Sequence, residues 1–152
     1  MAFEPNPIAE RLIAAGAIEF GEFTLASGQK SPYYIDIKTA MTDPALLGEI
    51  ARAIATREPF EMVAGVAVGG VPLAVATALV SGRRFAIVRS QVKDHGKANP
   101  VIGDVRGRQV LLVEDVTTSG GSALYGVDEL RRAGARVDCV VTVVDREGGA
   151  EE

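Results

Sequence analysis

Four apolar runs dominated by strand formers recur along the chain: MVAGVAV (Met62 to Val68), RFAIVR (Arg84 to Arg89), RQVLLVED (Arg108 to Asp115) and RVDCVVTVVD (Arg136 to Asp145). Short continuous apolar runs bounded by turn residues mark strands covered on both faces. Segments with helical periodicity separate them. VPLAVATALV follows the first run, and Ser122 to Ala133, with Ala123, Val127 and Leu130 on one face, follows the third. Strands that alternate with helices predict a parallel α/β sheet flanked by helices on both faces. Ahead of the first run, PALLGEIARAIA reads as a helix with Asp43 at its N-cap and Pro44 at its first position. The N-terminal part reads as a short amphipathic helix, Ile8 to Ala15, then strand-like EFTLA and YYIDIK around the turn SGQKSP. Ser90 to Gly107 shows neither period and holds three glycines and a proline, so a flexible loop with a short hairpin is expected there.

Ligands of parallel sheets sit beyond the carboxyl ends of the strands. Three features fall at such ends: Val68-Gly69-Gly70, Glu114-Asp115 with the loop after them, and Asp145-Arg146. After the two acids, Thr117, Thr118, Ser119, Gly120, Gly121 and Ser122 offer hydroxyls, open backbone N–H groups and the positive end of a helix, which are the parts of a phosphate cradle. GVAVGGVP lacks the Gly-Lys-Ser/Thr ending of a P-loop, no G-x-G-x-x-G occurs, and GGSAL lacks the last glycine of a nucleophile elbow. Two adjacent carboxylates can instead accept hydrogen bonds from a vicinal diol while the loop holds a phosphate one sugar-length away. A ribose 5-phosphate fits.

The 152 residues suit one domain, and 47% hydrophobic with 24% charged residues is an ordinary globular balance. A net charge of -4 argues against a general nucleic-acid binder. No apolar run reaches the length of a membrane span, and MAFEPNPIAERL lacks a signal peptide's apolar core, so a cytoplasmic protein without membrane contact is expected. The single cysteine, Cys139, stands among strand formers as a small buried hydrophobe.

Four blocks, in order, resemble one family. EDVTTSGGS (Glu114 to Ser122) resembles the phosphoribosyl pyrophosphate motif of type I phosphoribosyltransferases. VRSQVKDHGKAN (Val88 to Asn99) is similar to the catalytic loop of orotate phosphoribosyltransferases, FGEFTLASGQKSPYYIDIK (Phe20 to Lys38) to their N-terminal segment, and VVDREGGA to their Asp-Arg strand end. The resemblance implies the type I fold over residues 1–152: a mostly parallel central sheet flanked by helices, a flexible catalytic loop and a small N-terminal hood spanning about residues 1–40. The resemblance also implies a further strand and helix, which would lie after Glu152.

The implied activity joins orotate to phosphoribosyl pyrophosphate, giving orotidine 5′-monophosphate and pyrophosphate in pyrimidine biosynthesis. The resemblance assigns Glu114 and Asp115 to the ribose hydroxyls, directly or through the water of Mg²⁺, the implied cofactor, which travels with the pyrophosphate. Val116, Thr117, Thr118, Ser119, Gly120, Gly121 and Ser122 complete the phosphoribosyl pyrophosphate segment, with Thr118 also near orotate. Arg146 would pair with orotate's carboxylate, and Tyr33 and Tyr34 would line the pyrimidine site. Arg89, Lys93 and His95 are the implied catalytic groups and reach the pyrophosphate, in a homodimer whose loop 90–107 serves the neighbouring site. Gly65 to Gly69 resembles the pyrophosphate loop, which in the family often holds a non-proline cis peptide.

Ser90, Ala26 and Gly69 stand where the family places lysines, and Lys30 and Lys97 are the candidates to compensate. Plainer roles exist for the same residues. Glu114-Asp115 could be an exposed strand end beside a helix cap, Lys93 and His95 solvated loop residues, Arg146 a surface ion pair, and one of the two tyrosines a packing residue, since neighbours on a strand face opposite ways. Two other functions share the motifs: a regulator that kept the fold and binds phosphoribosyl pyrophosphate or a nucleotide without catalysis, and a purine phosphoribosyltransferase. Lys93 and His95 favour an enzyme, and YYIDIK with KDHG favours orotate.

Overall fold

The computed structural model describes residues 6–57, 59–91 and 99–150. Helix α1 (Pro7–Ala14) starts where the Asn6 side chain accepts from the backbone N–H groups of Ile8 and Ala9, with Pro7 at a position that needs no donor. Strands β1 (Ile18–Thr24) and β2 (Lys30–Ile35) form an antiparallel hairpin that is a sheet of its own. A one-turn helix absent from the sequence reading follows, α2 (Ile37–Ala40), capped by Asp36 and inserting Ile37 and Ala40 into the core. Helix α3 (Pro44–Ala55) begins as expected, with Asp43 accepting from Ala45 and Leu46 and Pro44 in the first turn.

The main sheet contains β3 (Met62–Val66), β4 (Arg84–Val88), β5 (Val101–Ile102), β6 (Gln109–Thr117) and β7 (Arg136–Asp145) in the order β5-β4-β3-β6-β7. Helix α4 (Gly70–Ser81) joins β3 to β4, and α5 (Gly121–Arg132) joins β6 to β7. Every pairing in this sheet is parallel except β4 with β5, so the expected loop with a hairpin inside residues 90–107 is corrected: β5 returns to β4, and Val101 and Val105 are buried in the core because they pack with the sheet. The alternation of β3 and β6 divides the core. Val63, Leu111 and Val113 face α3 and α4, whereas Ala64, Val110 and Leu112 face Leu130 of α5. Helices thus cover both faces, which is why these strands read as unbroken apolar runs.

Strand order reverses between β3 and β6: from β3 the chain winds to β4, and from β6 it winds the other way to β7. Such a switch point leaves a crevice at the carboxyl ends of the two strands. Cys139 is half-buried, not fully buried, because β7 is an edge strand of this sheet. Among the described residues, no helix is long and apolar enough to cross a membrane.

Candidate active site

Glu114 and Asp115 lie at the switch point, at 5% and 6% exposure, so the reading of an exposed strand end does not hold. Burial pushes the Glu114 carboxyl up to about 7, opposed by the hydrogen bond that Ser122 Oγ donates to Glu114 Oε1 at 3.2 Å and reinforced by the neighbouring Asp115. Asp115 Oδ2 accepts from Lys38 Nζ at 2.9 Å. That bond holds the Lys38 ammonium above the usual lysine range against the opposing effect of burial. Lys38 was assigned no role from the sequence. Its partner lies 77 positions along the chain, a pairing that no local pattern reveals.

Across the crevice, the segment after β3 carries a cis peptide between Ala67 and Val68. Gly69 follows it so close to Asp115 that a Cβ there would overlap the carboxylate.

Thr117 is still part of β6, paired with Asp145. Thr118 and Ser119 are the exposed turn. Gly120, at φ 83°, takes the left-handed conformation that lets the chain reverse into α5. Helix α5 begins at Gly121, one residue earlier than expected, so Gly121 and Ser122 supply its first turn. Among the described residues, no side chain caps this end, since the N-cap itself is Gly120. Its first backbone N–H groups therefore converge beside Thr118 and Ser119, as a bound phosphate requires.

At the end of β7, the Arg146 backbone N–H donates to Thr117 O at 2.9 Å, tying this strand end to the phosphate loop. The Arg146 guanidinium lies 4.8 Å from the centre of the Tyr33 ring, and its Nη2 donates to Ser31 Oγ at 3.4 Å. Ser31, another residue without a sequence-based role, also bonds the Tyr33 carbonyl at 2.7 Å, so one small hydroxyl braces both partners. Tyr34 points the other way along β2 and packs on Phe23 with ring centres 5.7 Å apart. The structure therefore brings Tyr33 to Arg146 and leaves Tyr34 on the opposite face of the hairpin.

Arg89 is exposed just beyond β4, where its N–H donates to Pro100 O at 2.7 Å and its carbonyl accepts from Tyr125 Oη at 2.8 Å. These bonds close the neck of the segment that holds Lys93, His95 and Lys97, three residues that lie outside the described ones. Lys30 donates to Thr24 Oγ1 at 3.1 Å within the β1–β2 hairpin.

The carboxyl ends of β6 and β7 thus carry the paired acids, a helix start with glycine at its N-cap and a braced guanidinium, with Gly69 against Asp115. Residues 42–152 match the phosphoribosyl transferase domain family. The orotate phosphoribosyltransferase of Methanoculleus marisnigri is 69% identical over 147 residues, covering 97% of this chain and 86% of that protein. The chain belongs to the orotate phosphoribosyltransferase family. Among solved structures, the orotate phosphoribosyltransferase from Aeropyrum pernix superposes with a TM-score of 0.82 at 33% identity, over 94% of this chain and 84% of that one. The Mycobacterium tuberculosis orotate phosphoribosyltransferase in complex with 5-phospho-alpha-D-ribosyl 1-diphosphate gives 0.74 at 31% identity, over 96% and 86%. The family's central sheet flanked by helices is the architecture described above.

Proposed function

We infer that this chain transfers ribose 5-phosphate from phosphoribosyl pyrophosphate to orotate, forming orotidine 5′-monophosphate and releasing pyrophosphate. The observation that carries this reading is the buried pair Glu114-Asp115 at the switch point, immediately before the uncapped first turn of α5. The first turn receives the 5-phosphate and the acids accept from the ribose hydroxyls, which fixes C1 toward Arg146. The Arg146 fork, held by Tyr33 and Ser31, pairs with orotate's carboxylate and turns the ring nitrogen toward C1. The C1–oxygen bond to pyrophosphate breaks as the N–C1 bond forms, with inversion at C1. Orotate's ring nitrogen ionises readily, so a strong base is not required, and stabilising the leaving pyrophosphate is the larger task. Arg89, Lys93 and His95 are the cations assigned to it. Closure of their loop would exclude water that hydrolyses the donor.

Mg²⁺ suits this donor set in one way only. Among the described residues, no group of three or more His, Cys, Asp or Glu side chains could enclose a metal. Two carboxylates match an ion that arrives on the substrate's pyrophosphate and keeps much of its water, with Asp115 and Glu114 meeting that water. Bound there, Mg²⁺ would offset the charge of the departing pyrophosphate.

The assembly in this reading is a homodimer in the cytoplasm, with the part of the expected loop that precedes β5 reaching the neighbouring site. Incubating the purified chain with phosphoribosyl pyrophosphate and Mg²⁺, separately with orotate, uracil, adenine and hypoxanthine, tests the reaction. Orotidine 5′-monophosphate and an equal amount of pyrophosphate are expected from orotate alone. Turnover of a purine instead, or binding without turnover of any base, would replace this reading with one of its two rivals.

A further inference from the structure

Among the described residues, the cation paired with the acids comes from the N-terminal hood, at a position where the family resemblance predicts no role. Position 69, one of three where the resemblance predicts lysine, is glycine, and the Asp115 carboxylate lies where a Cβ there would stand, so Asp115 holds its present position only beside glycine. Positions 26 and 90 hold Ala26 and Ser90. Among the described residues, Lys38 is the cation that forms an ion pair with either acid. Its backbone is fixed on both sides. Asp36 caps α2 through Thr39 N at 3.1 Å and Thr39 Oγ1 at 2.6 Å, while Ile37 and Ala40 are buried. The Lys38 side chain is 60% exposed and bends over the Asp115 side chain, which is 9% exposed. It therefore contributes little apolar packing, and what it does at this site is electrostatic.

We propose that Lys38 is a positioning residue for the phosphoribosyl donor, acting through Asp115. By holding Oδ2 it sets the plane of the carboxylate and leaves Oδ1 to accept from a ribose hydroxyl. It also offsets one of two adjacent acidic charges that would otherwise repel a polyanionic substrate. A cation on a short capped helix thus takes the place of one that the segment after β3 does not carry at Gly69. The proposal rests on the phosphoribosyltransferase reading above, and it assigns the donor side of the site rather than the orotate side.

Steady-state kinetics on Lys38→Met, Lys38→Arg, Asp115→Asn and the Lys38→Met/Asp115→Asn pair tests it, with calorimetric titration of Mg²⁺–phosphoribosyl pyrophosphate alongside. Methionine keeps the aliphatic stem and removes the charge. Loss of a charged hydrogen bond predicts a rise on the order of tenfold in KM and Kd for phosphoribosyl pyrophosphate in Lys38→Met. KM for orotate and the melting temperature should stay near wild type. Lys38→Arg should recover most of the donor affinity, and the double variant should bind no more weakly than Asp115→Asn alone, because the two residues act as one unit. An unchanged donor affinity in Lys38→Met would overturn the proposal. So would an equal rise in both KM values with a lower melting temperature, which marks a purely structural tie between hood and sheet, or additive losses in the double variant. A wild-type chain that binds the donor but does not turn over orotate refutes the assigned reaction while the titrations still decide Lys38. A wild-type chain that fails to bind the donor overturns both.

Discussion

Asp115 occupies the space that a side chain at Gly69 would need, so the end of β6 and the segment after β3 are fitted to each other across the switch point. Glycine at 69 is thereby a condition for the carboxylate's position. Gly69→Ala should force Asp115 to rotate, breaking its bond to Lys38 and misaligning the acceptor for the ribose hydroxyls. Donor affinity should fall by about tenfold, the loss typical of one charge-assisted hydrogen bond, with orotate affinity little changed. A Gly69→Ala chain with wild-type donor affinity would show that the carboxylate's present position is not the one that binds substrate.

The buried Glu114 makes stability depend on pH in a definite direction. Its carboxyl has a pKa of about 7 in the folded chain against an ordinary value of 4.5, so the folded state holds the proton more tightly than the unfolded state. Stability is then greatest below pH 4.5 as far as this group is concerned, declines as pH rises from 4.5 to 7, and stays reduced above 7. Glu114→Gln removes the ionisation and keeps a side chain of the same shape. At pH 8 it should gain on the order of 1 kcal/mol after allowance for solvent screening, roughly 3 °C in Tm for a chain of this size. The gain should vanish near pH 4.5. Thermal melts across pH 4 to 8 measure it, and a difference between the two proteins that does not change with pH would refute the buried-charge account.

Much of this was legible in the sequence because the constraint was local. β3 and β6 are continuous apolar runs since both of their faces are covered, and the acids at the end of β6 stand next to the loop they work with. What was not legible depends on the tertiary fold. The pairing of Lys38 with Asp115 and the bracing of Arg146 by Ser31 join the hood to the far ends of β6 and β7. Strand alternation predicted that Tyr33 and Tyr34 would diverge, but not which of them would meet Arg146. The one-turn helix α2 is too short for a periodic signal. Only its Asp36 cap, three residues ahead of Thr39, hinted at it.

Arg146 should be irreplaceable by lysine. The guanidinium stacks on Tyr33 and reaches Ser31 with one nitrogen, leaving the rest of its fork for a carboxylate, whereas an ammonium offers a single point of charge. Arg146→Lys should raise KM for orotate by at least about tenfold while donor affinity, measured by titration, stays within about twofold of wild type. Equal losses for both substrates would mean that Arg146 holds the strand end and does not recognise orotate.

Tyr125 on α5 donates to the Arg89 carbonyl at the neck of the loop. Removing one exposed hydrogen bond costs about 1 kcal/mol, so Tyr125→Phe should lower the melting temperature by no more than roughly 3 °C. The same loss applied to the orientation of the loop's root should lower kcat by roughly fivefold, with both KM values changed less. If kcat is unaltered, the neck does not govern how the loop's cations are presented.

The shared-site dimer makes the sharpest demand. Residues 90–99, SQVKDHGKAN, carry too little apolar side chain to offset the entropy of ordering them over their own chain's strand ends, and a neighbouring subunit offers the surface they lack. Lys93→Ala should then inactivate the site next door, and Asp115→Asn the site of its own chain. Mixing the two inactive proteins under conditions of subunit exchange yields heterodimers in which one site carries both substitutions and the other carries neither. Random exchange of equal amounts makes half of the dimers heterodimers, so recovered activity should approach about one quarter of wild type. Subunit exchange is verified by mass spectrometry of differently tagged chains. Given that exchange, a mixture no more active than its separate components means that Lys93 and Asp115 serve the same chain's site, and the loop does not cross.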